Sequence, residues 1–140
     1  MPHSLGSKVR VAGQVALGGF LAFAGVSHLT FAREEFRAQV PDWFPADTDL
    51  VVLASGVVEI ALGTALLATW KQPARAWVGA TAGAFFVAVF PGNIAQFTEH
   101  KDGFGLDTDT KRAIRLLFQP LLVAGALTAT DAVRVLWKDR

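Results

Sequence analysis

Four apolar stretches dominate the chain, each about as long as the ~20 residues a helix needs to cross a bilayer. They cover residues 11–31, 50–70, 76–97 and 113–136. A helix on the surface of a soluble domain alternates an apolar stripe with a polar face; these stretches do not. They predict an all-α integral membrane four-helix bundle, a single transmembrane domain over residues 1–140. Composition agrees: 18% of residues are charged, against roughly a quarter in ordinary soluble domains. The net charge of +1 offers no field to recruit nucleic acid. Cysteine is absent, which excludes disulfide scaffolds, thiolate metal sites and dithiol relays.

Tryptophan placement is an independent test. Trp43, Trp70, Trp77 and Trp137 all fall at the ends or flanks of the stretches. Indole rings favour the headgroup level, where the body is buried and the N–H is wet.

The connecting segments differ in character. Residues 32–49, AREEFRAQVPDWFPADTD, are expected to begin as a short interfacial helix with Phe36 and Val40 on one side. The VPDWFP run then breaks it and forms a rigid cap at the headgroup level. Residues 71–75 read as a tight helical hairpin, and residues 98–112 as a polar, mobile loop. With the N-terminus inside, Lys8, Arg10, Lys71, Arg75, Arg134, Lys138 and Arg140 lie on the inner side. Arg33, Arg37, Lys101, Lys111 and Arg112 lie on the outer side, so the cationic bias predicts both termini in the cytoplasm. The expected location is the bacterial inner (plasma) membrane. Lys8, Arg10, the apolar run and Ala22-Phe23-Ala24 also trace the outline of a cleavable signal peptide. The run continues past that site, which favours a retained first helix.

Polar residues inside the stretches direct attention to function, since an ion at a helix centre costs about 2.5–3.5 kcal/mol on insertion scales. Glu59 stands almost at the midpoint of the second stretch, with Ser55 and Gly63 one turn away on the same face. His28, Asn93, Gln96, Arg115 and Gln119 all fall in the outer halves of the other three stretches, whereas Gln14 falls in an inner half. Pro91 and Pro120 free the carbonyls of Val87 and Leu116 at similar depth. Irregular backbone there is tolerated only when buried in protein or lining a cavity. These placements predict a polar pocket opening outward, floored by Glu59 and roofed by VPDWFP. Each residue also has a structural reading. Arg115 either snorkels to lipid phosphate or faces Glu59 and holds it ionised. His28 can be a packing residue, Asn93 and Gln96 can satisfy freed carbonyls, and Glu59 can serve a structural hydrogen bond. Gly79-x3-Gly83 fits a helix-packing face but is a common pattern. No spacing suggests a metal site.

The motifs FAGVSHLTF, FRAQVPDWFP, SGVVEIALGTALL, VAVFPGNIAQF and RLLFQPLL, in that order, resemble the DoxX-like family of small four-helix bacterial membrane proteins. The matching positions are His28, Pro41, Pro45, Glu59, Pro91, Asn93, Arg115 and Gln119. The resemblance implies a four-helix bundle and redox association. Relatives include subunits of a quinone-linked sulfur oxidoreductase and proteins acting with periplasmic thiol chemistry. Lacking cysteine, this chain would serve redox chemistry through a bound quinone-like ligand or a redox partner.

Three functions follow from the residues and the resemblance. The first is an accessory subunit that binds a quinone-like lipophilic ligand through Glu59, His28, Ser55, Asn93, Gln96, Arg115 and Gln119. It would contact membrane lipid, a membrane or extracytoplasmic redox partner, or a second copy of itself. The second is a membrane-embedded acid/base enzyme, isomerase-like, acting on an isoprenoid or sterol-like lipid with Glu59 and His28 as catalytic groups. The third, ranked last, is a proton-coupled transporter with Glu59 as carrier.

Overall fold

In a computed structural model, residues 5–31, 33–103 and 106–138 are described. Four long helices carry the fold: α1 (Leu5–Leu29), α3 (Thr48–Ala68), α4 (Ala74–Thr98) and α5 (Asp109–Ala129), with a short α2 (Arg33–Arg37) after the first. Each of the four is long and apolar enough to span a membrane. Their outer surfaces are apolar too: Phe23, Val57, Val87, Leu117 and Leu121 are all exposed. A soluble monomer does not display an apolar exterior on every helix. The chain is a multi-pass membrane protein built as a four-helix bundle.

The helices form two antiparallel pairs. α1 packs most extensively on α3 and α4 on α5, while α1 also meets α5 and α3 meets α4 more sparsely. Glycine permits the first pairing. A Cβ on Gly25 would come within 2.5 Å of the Gly56 carbonyl oxygen, and one on Gly63 within 2.5 Å of the Ala22 nitrogen. Backbones this close need residues without side chains at the crossing. Gly79 of the Gly79-x3-Gly83 pattern faces Thr130 at the end of α5, so that pattern serves the second pairing.

Local chemistry sets the helix ends. Asp47 caps α3, its Oδ1 accepting the N–H of Asp49 at 2.8 Å. Thr108 caps α5 by accepting the Lys111 N–H at 3.2 Å, so the polar residues 109–112 join the helix. The fourth stretch is therefore displaced from the expected 113–136. α5 stops at Ala129, Asp131 adopts a left-handed conformation (φ 60°), and a π-helical turn, Arg134–Lys138, follows. Aspartate is among the few side chains that tolerate that backbone region. The helices continue through Pro91 and Pro120.

The described part of the α4–α5 loop is pinned, not loose as expected. Arg112, 5% exposed, donates to the Lys101 carbonyl at 2.8 Å and pairs with Asp102 at 2.5 Å and Asp109 at 2.8 Å. Its burial escapes a reading that places residues 98–112 outside the bundle.

A core cluster of Leu21, Leu62, Leu66, Ala82, Phe86 and Ala126 packs the four long helices together. The half of the bundle nearer the α1–α3 loop holds a cavity.

Candidate functional site

Two clusters of buried polar side chains lie at opposite ends of the bundle, and they differ in one respect. The cluster near the chain ends is satisfied. Gln14, fully buried, donates to the carbonyls of Leu66 (2.7 Å) and Thr69 (3.0 Å), and its Oε1 accepts from Arg75 Nε at 2.6 Å. Arg75 also donates to the Ala129 carbonyl at 2.9 Å. One glutamine and one arginine thus close the carbonyl ends of α3 and α5, which an α-helix leaves without internal partners.

The other cluster surrounds a cavity of about 520 Å³, within the ~300–1,000 Å³ range of small-molecule sites. All four long helices and the α1–α3 loop line it. His28 and Ser27 come from α1, Ser55 and Glu59 from α3, Asn93 from α4, and Arg115 and Gln119 from α5. Among the described residues, three buried side-chain atoms have no hydrogen-bond partner: His28 Nε2, Glu59 Oε2 and Asn93 Oδ1. All three belong to residues lining this cavity. A buried polar atom left without a partner costs about 1–3 kcal/mol, so three around one cavity demand a reason.

His28 is fixed by its other nitrogen. Nδ1 lies 3.0 Å from Ser55 Oγ and 3.3 Å from the Val52 carbonyl, which leaves Nε2 facing Glu59 Oε2 at 3.3 Å. The two atoms are within ion-pair reach but off hydrogen-bonding alignment, so each retains capacity for a third group. The Phe36 ring covers the imidazole, with centroids 3.3 Å apart. The expected short helix after α1 therefore exists, and its aromatic residue closes over the histidine.

On the opposite wall, Gln119 Nε2 donates to the Phe86 carbonyl at 2.5 Å, one residue before the carbonyl that Pro91 frees. Gln119 Oε1 accepts from Arg115 at 3.2 Å and from Asn93 at 3.4 Å. Arg115 thus faces into the cavity. It makes no ion pair with Glu59, whose near neighbour is His28.

Gln96 departs from the expected set. It is buried one turn from Asn93 but does not line the cavity. It contacts Gln39 at 3.4 Å and the Gly103 carbonyl at 3.3 Å, joining the two loops. The VPDWFP segment does roof the site, through Val40, Pro41, Trp43 and Phe44. Lys101 staples it down: Nζ donates to the Val40 carbonyl at 2.7 Å and pairs with Asp42 at 2.7 Å and Glu99 at 3.2 Å. Gly92 lets this segment press on α4, since any side chain there would strike the Gln39 carbonyl. Burial works against the charge of Lys101, yet its contacts with Asp42 and Glu99 hold its pKa above the ordinary lysine value. The Lys101 contact, aided by Glu99, holds the Asp42 carboxyl below the usual range. The roles of Lys101 and Phe36 at the site escape a reading confined to the spans, because both act from the connections between them.

Residues 17–130 match the family described as Domain of unknown function (DUF8561). The chain belongs to that family. The match takes in His28, Glu59, Asn93, Arg115 and Gln119, the polar lining of the cavity. No curated protein and no solved structure matches the chain. Among the described residues, no three His, Cys, Asp or Glu side chains cluster closely enough to hold a metal ion.

Proposed function

We propose that this protein is a membrane accessory subunit that binds a lipophilic ligand with a polar, quinone-like head in the cavity beneath the α1–α3 loop. One contrast carries the reading. The polar cluster near the chain ends satisfies itself, whereas the cavity cluster leaves three buried atoms without a hydrogen-bond partner. A quinone head suits two facing walls, because its two oxygens lie across a ring. One oxygen would meet His28 and Glu59, the other Asn93 and Arg115. The exposed Phe20 and Phe23 line the same cavity and offer an apolar exit for an isoprenoid tail. The motif likeness to DoxX-like proteins supports a redox association and a bacterial inner membrane setting, and the Lys and Arg distribution supports cytoplasmic termini with the cavity in the outer leaflet. Because the chain has no cysteine, a single cysteine at Ala46 would report that orientation by its reaction with an impermeant thiol reagent.

The test is quinone extraction from purified wild type, Glu59→Gln and His28→Ala. Quinone should accompany wild type and fall away in both variants. Equal amounts in all three would end the ligand reading.

A second reading has its own observation. A histidine and a glutamate 3.3 Å apart at a cavity wall form an acid/base pair in reach of a bound lipid. Turnover of an isoprenoid or sterol by wild type, lost in Glu59→Gln, would favour an isomerase-like enzyme over a binding subunit.

A further inference from the structure

Arg115 is the cavity's uncompensated cation. The three arginines placed within α4 and α5 spend their donors differently. Arg75 donates to Gln14 and the Ala129 carbonyl. Arg112 pairs with Asp102 and Asp109 and donates to the Lys101 carbonyl. Arg115 has one neutral contact, to Gln119 Oε1, and no carboxylate among the described residues stands within ion-pair distance of it. Arg115 lines the cavity. A guanidinium in a low-dielectric site is costly without a counter-anion, and its planar fork matches a carboxylate or phosphate bidentately.

The other wall does not supply that anion. Glu59, the carboxylate that lines the cavity, has its free oxygen beside His28. Glu59 and His28 offer an anionic head no cation comparable to Arg115, so the wall that carries Arg115 is where such a head would seat. We infer that the ligand is an anionic amphiphile, its carboxylate or phosphate seated on Arg115 and its apolar chain leaving past Phe20 and Phe23. This rests on the cavity being a ligand site, as proposed above, and sets an anionic head there in place of a neutral quinone ring. A hydroxyl further along the same molecule fits His28 Nε2 and Glu59 Oε2, accepting from one and donating to the other.

The experiment is calorimetric titration of the protein in nanodiscs with laurate, dodecyl phosphate, dodecanol and a short-chain ubiquinone, with empty nanodiscs subtracted. On wild type at least one of the two anions should bind about tenfold or more tightly than dodecanol. Whichever anion leads identifies the head as carboxylate or phosphate. Arg115→Gln should erase the preference, and Arg115→Lys should keep part of it. If dodecanol matches both anions on wild type, the inference is overturned without recourse to any variant. Retention of the full preference in Arg115→Gln overturns it as well. Binding of ubiquinone and dodecanol with no anion preference sinks the anionic head alone. Absence of binding by all four probes sinks the ligand site with it.

Discussion

The His28 ring and the Glu59 carboxylate meet at 3.3 Å from helices that run in opposite directions. Cα–Cβ bonds tilt toward the N-terminus of their own helix. His28 sits near the end of α1 and leans back into the bundle, while Glu59 sits at the middle of α3 and leans toward the loop. The two side chains close a gap in depth that their sequence positions leave open. The same rule joins Asn93 on α4 to Gln119 on α5 across the opposite wall. Antiparallel pairing thus concentrates four polar groups from four helices at one level.

The contrast between the two polar clusters predicts opposite stability effects. Gln14→Leu removes the donor to two helix-end carbonyls and the acceptor of Arg75, so it should cost about 1–3 kcal/mol. Glu59→Leu removes a buried carboxyl whose Oε2 has no hydrogen bond and so carries a desolvation cost; it should be neutral or stabilising. Thermal unfolding in detergent decides the matter. A Glu59→Leu variant less stable than Gln14→Leu would return Glu59 to a structural role.

Close approach of α1 and α3 makes Gly56 intolerant. A Cβ there would lie 2.6 Å from His28 Cβ and 3.0 Å from the Gly25 carbonyl oxygen. Gly56→Val should cost about 1–3 kcal/mol by overpacking and displace His28 from Ser55. Gly19, whose added Cβ would meet nothing within 4 Å, is the control: Gly19→Val should leave unfolding near the wild-type temperature. Similar losses in the two variants would mean that the crossing does not depend on glycine.

Much of this arrangement is legible in the sequence because the membrane simplifies the code. Apolar length alone gives four spans, and a polar residue at span depth, such as Glu59 or Gln119, is visible because hydrocarbon makes it expensive. Partners are harder to read. Depth along a helix places Arg115 and Glu59 in one region but not which of them faces His28, since that depends on helix rotation and pair packing. Loops are harder still. Lys101 and Arg112 resemble ordinary solvated cations, and their anchoring of the roof arises only when the α1–α3 and α4–α5 connections fold over the same end. The end of α5 depends on the backbone at Asp131, which apolar periodicity does not register.

Phe36 controls access to the histidine. Its ring lies against the His28 imidazole, which is itself buried (4% exposed). Phe36→Ala should leave the helical content unchanged and speed the reaction of His28 with diethylpyrocarbonate several-fold, followed residue by residue by mass spectrometry. His100, exposed near the other loop, should react at an unchanged rate and serves as the internal reference. No change at His28 would show that the cavity is entered by another route.

The roof should loosen in acid through Asp42. Its carboxyl is held below the usual range by Lys101 and Glu99 in the folded protein, so the unfolded chain binds more protons in that window. Linkage then makes the contact fully present above the ordinary carboxylate value of about 3.9 and lost as pH falls through the depressed folded value. Lys101, with its pKa raised, stays charged throughout this range. Trp43, next in sequence and part of the cavity lining, is the reporter: its collisional quenching by iodide should rise as pH falls from about 4 to about 2, below the ordinary carboxylate value. Asp42→Asn should show the raised quenching at neutral pH and lose most of the acid transition. An Asp42→Asn variant with the wild-type acid profile would place the titrating group elsewhere, because the Asp42 side chain would then not be what Lys101 holds in place.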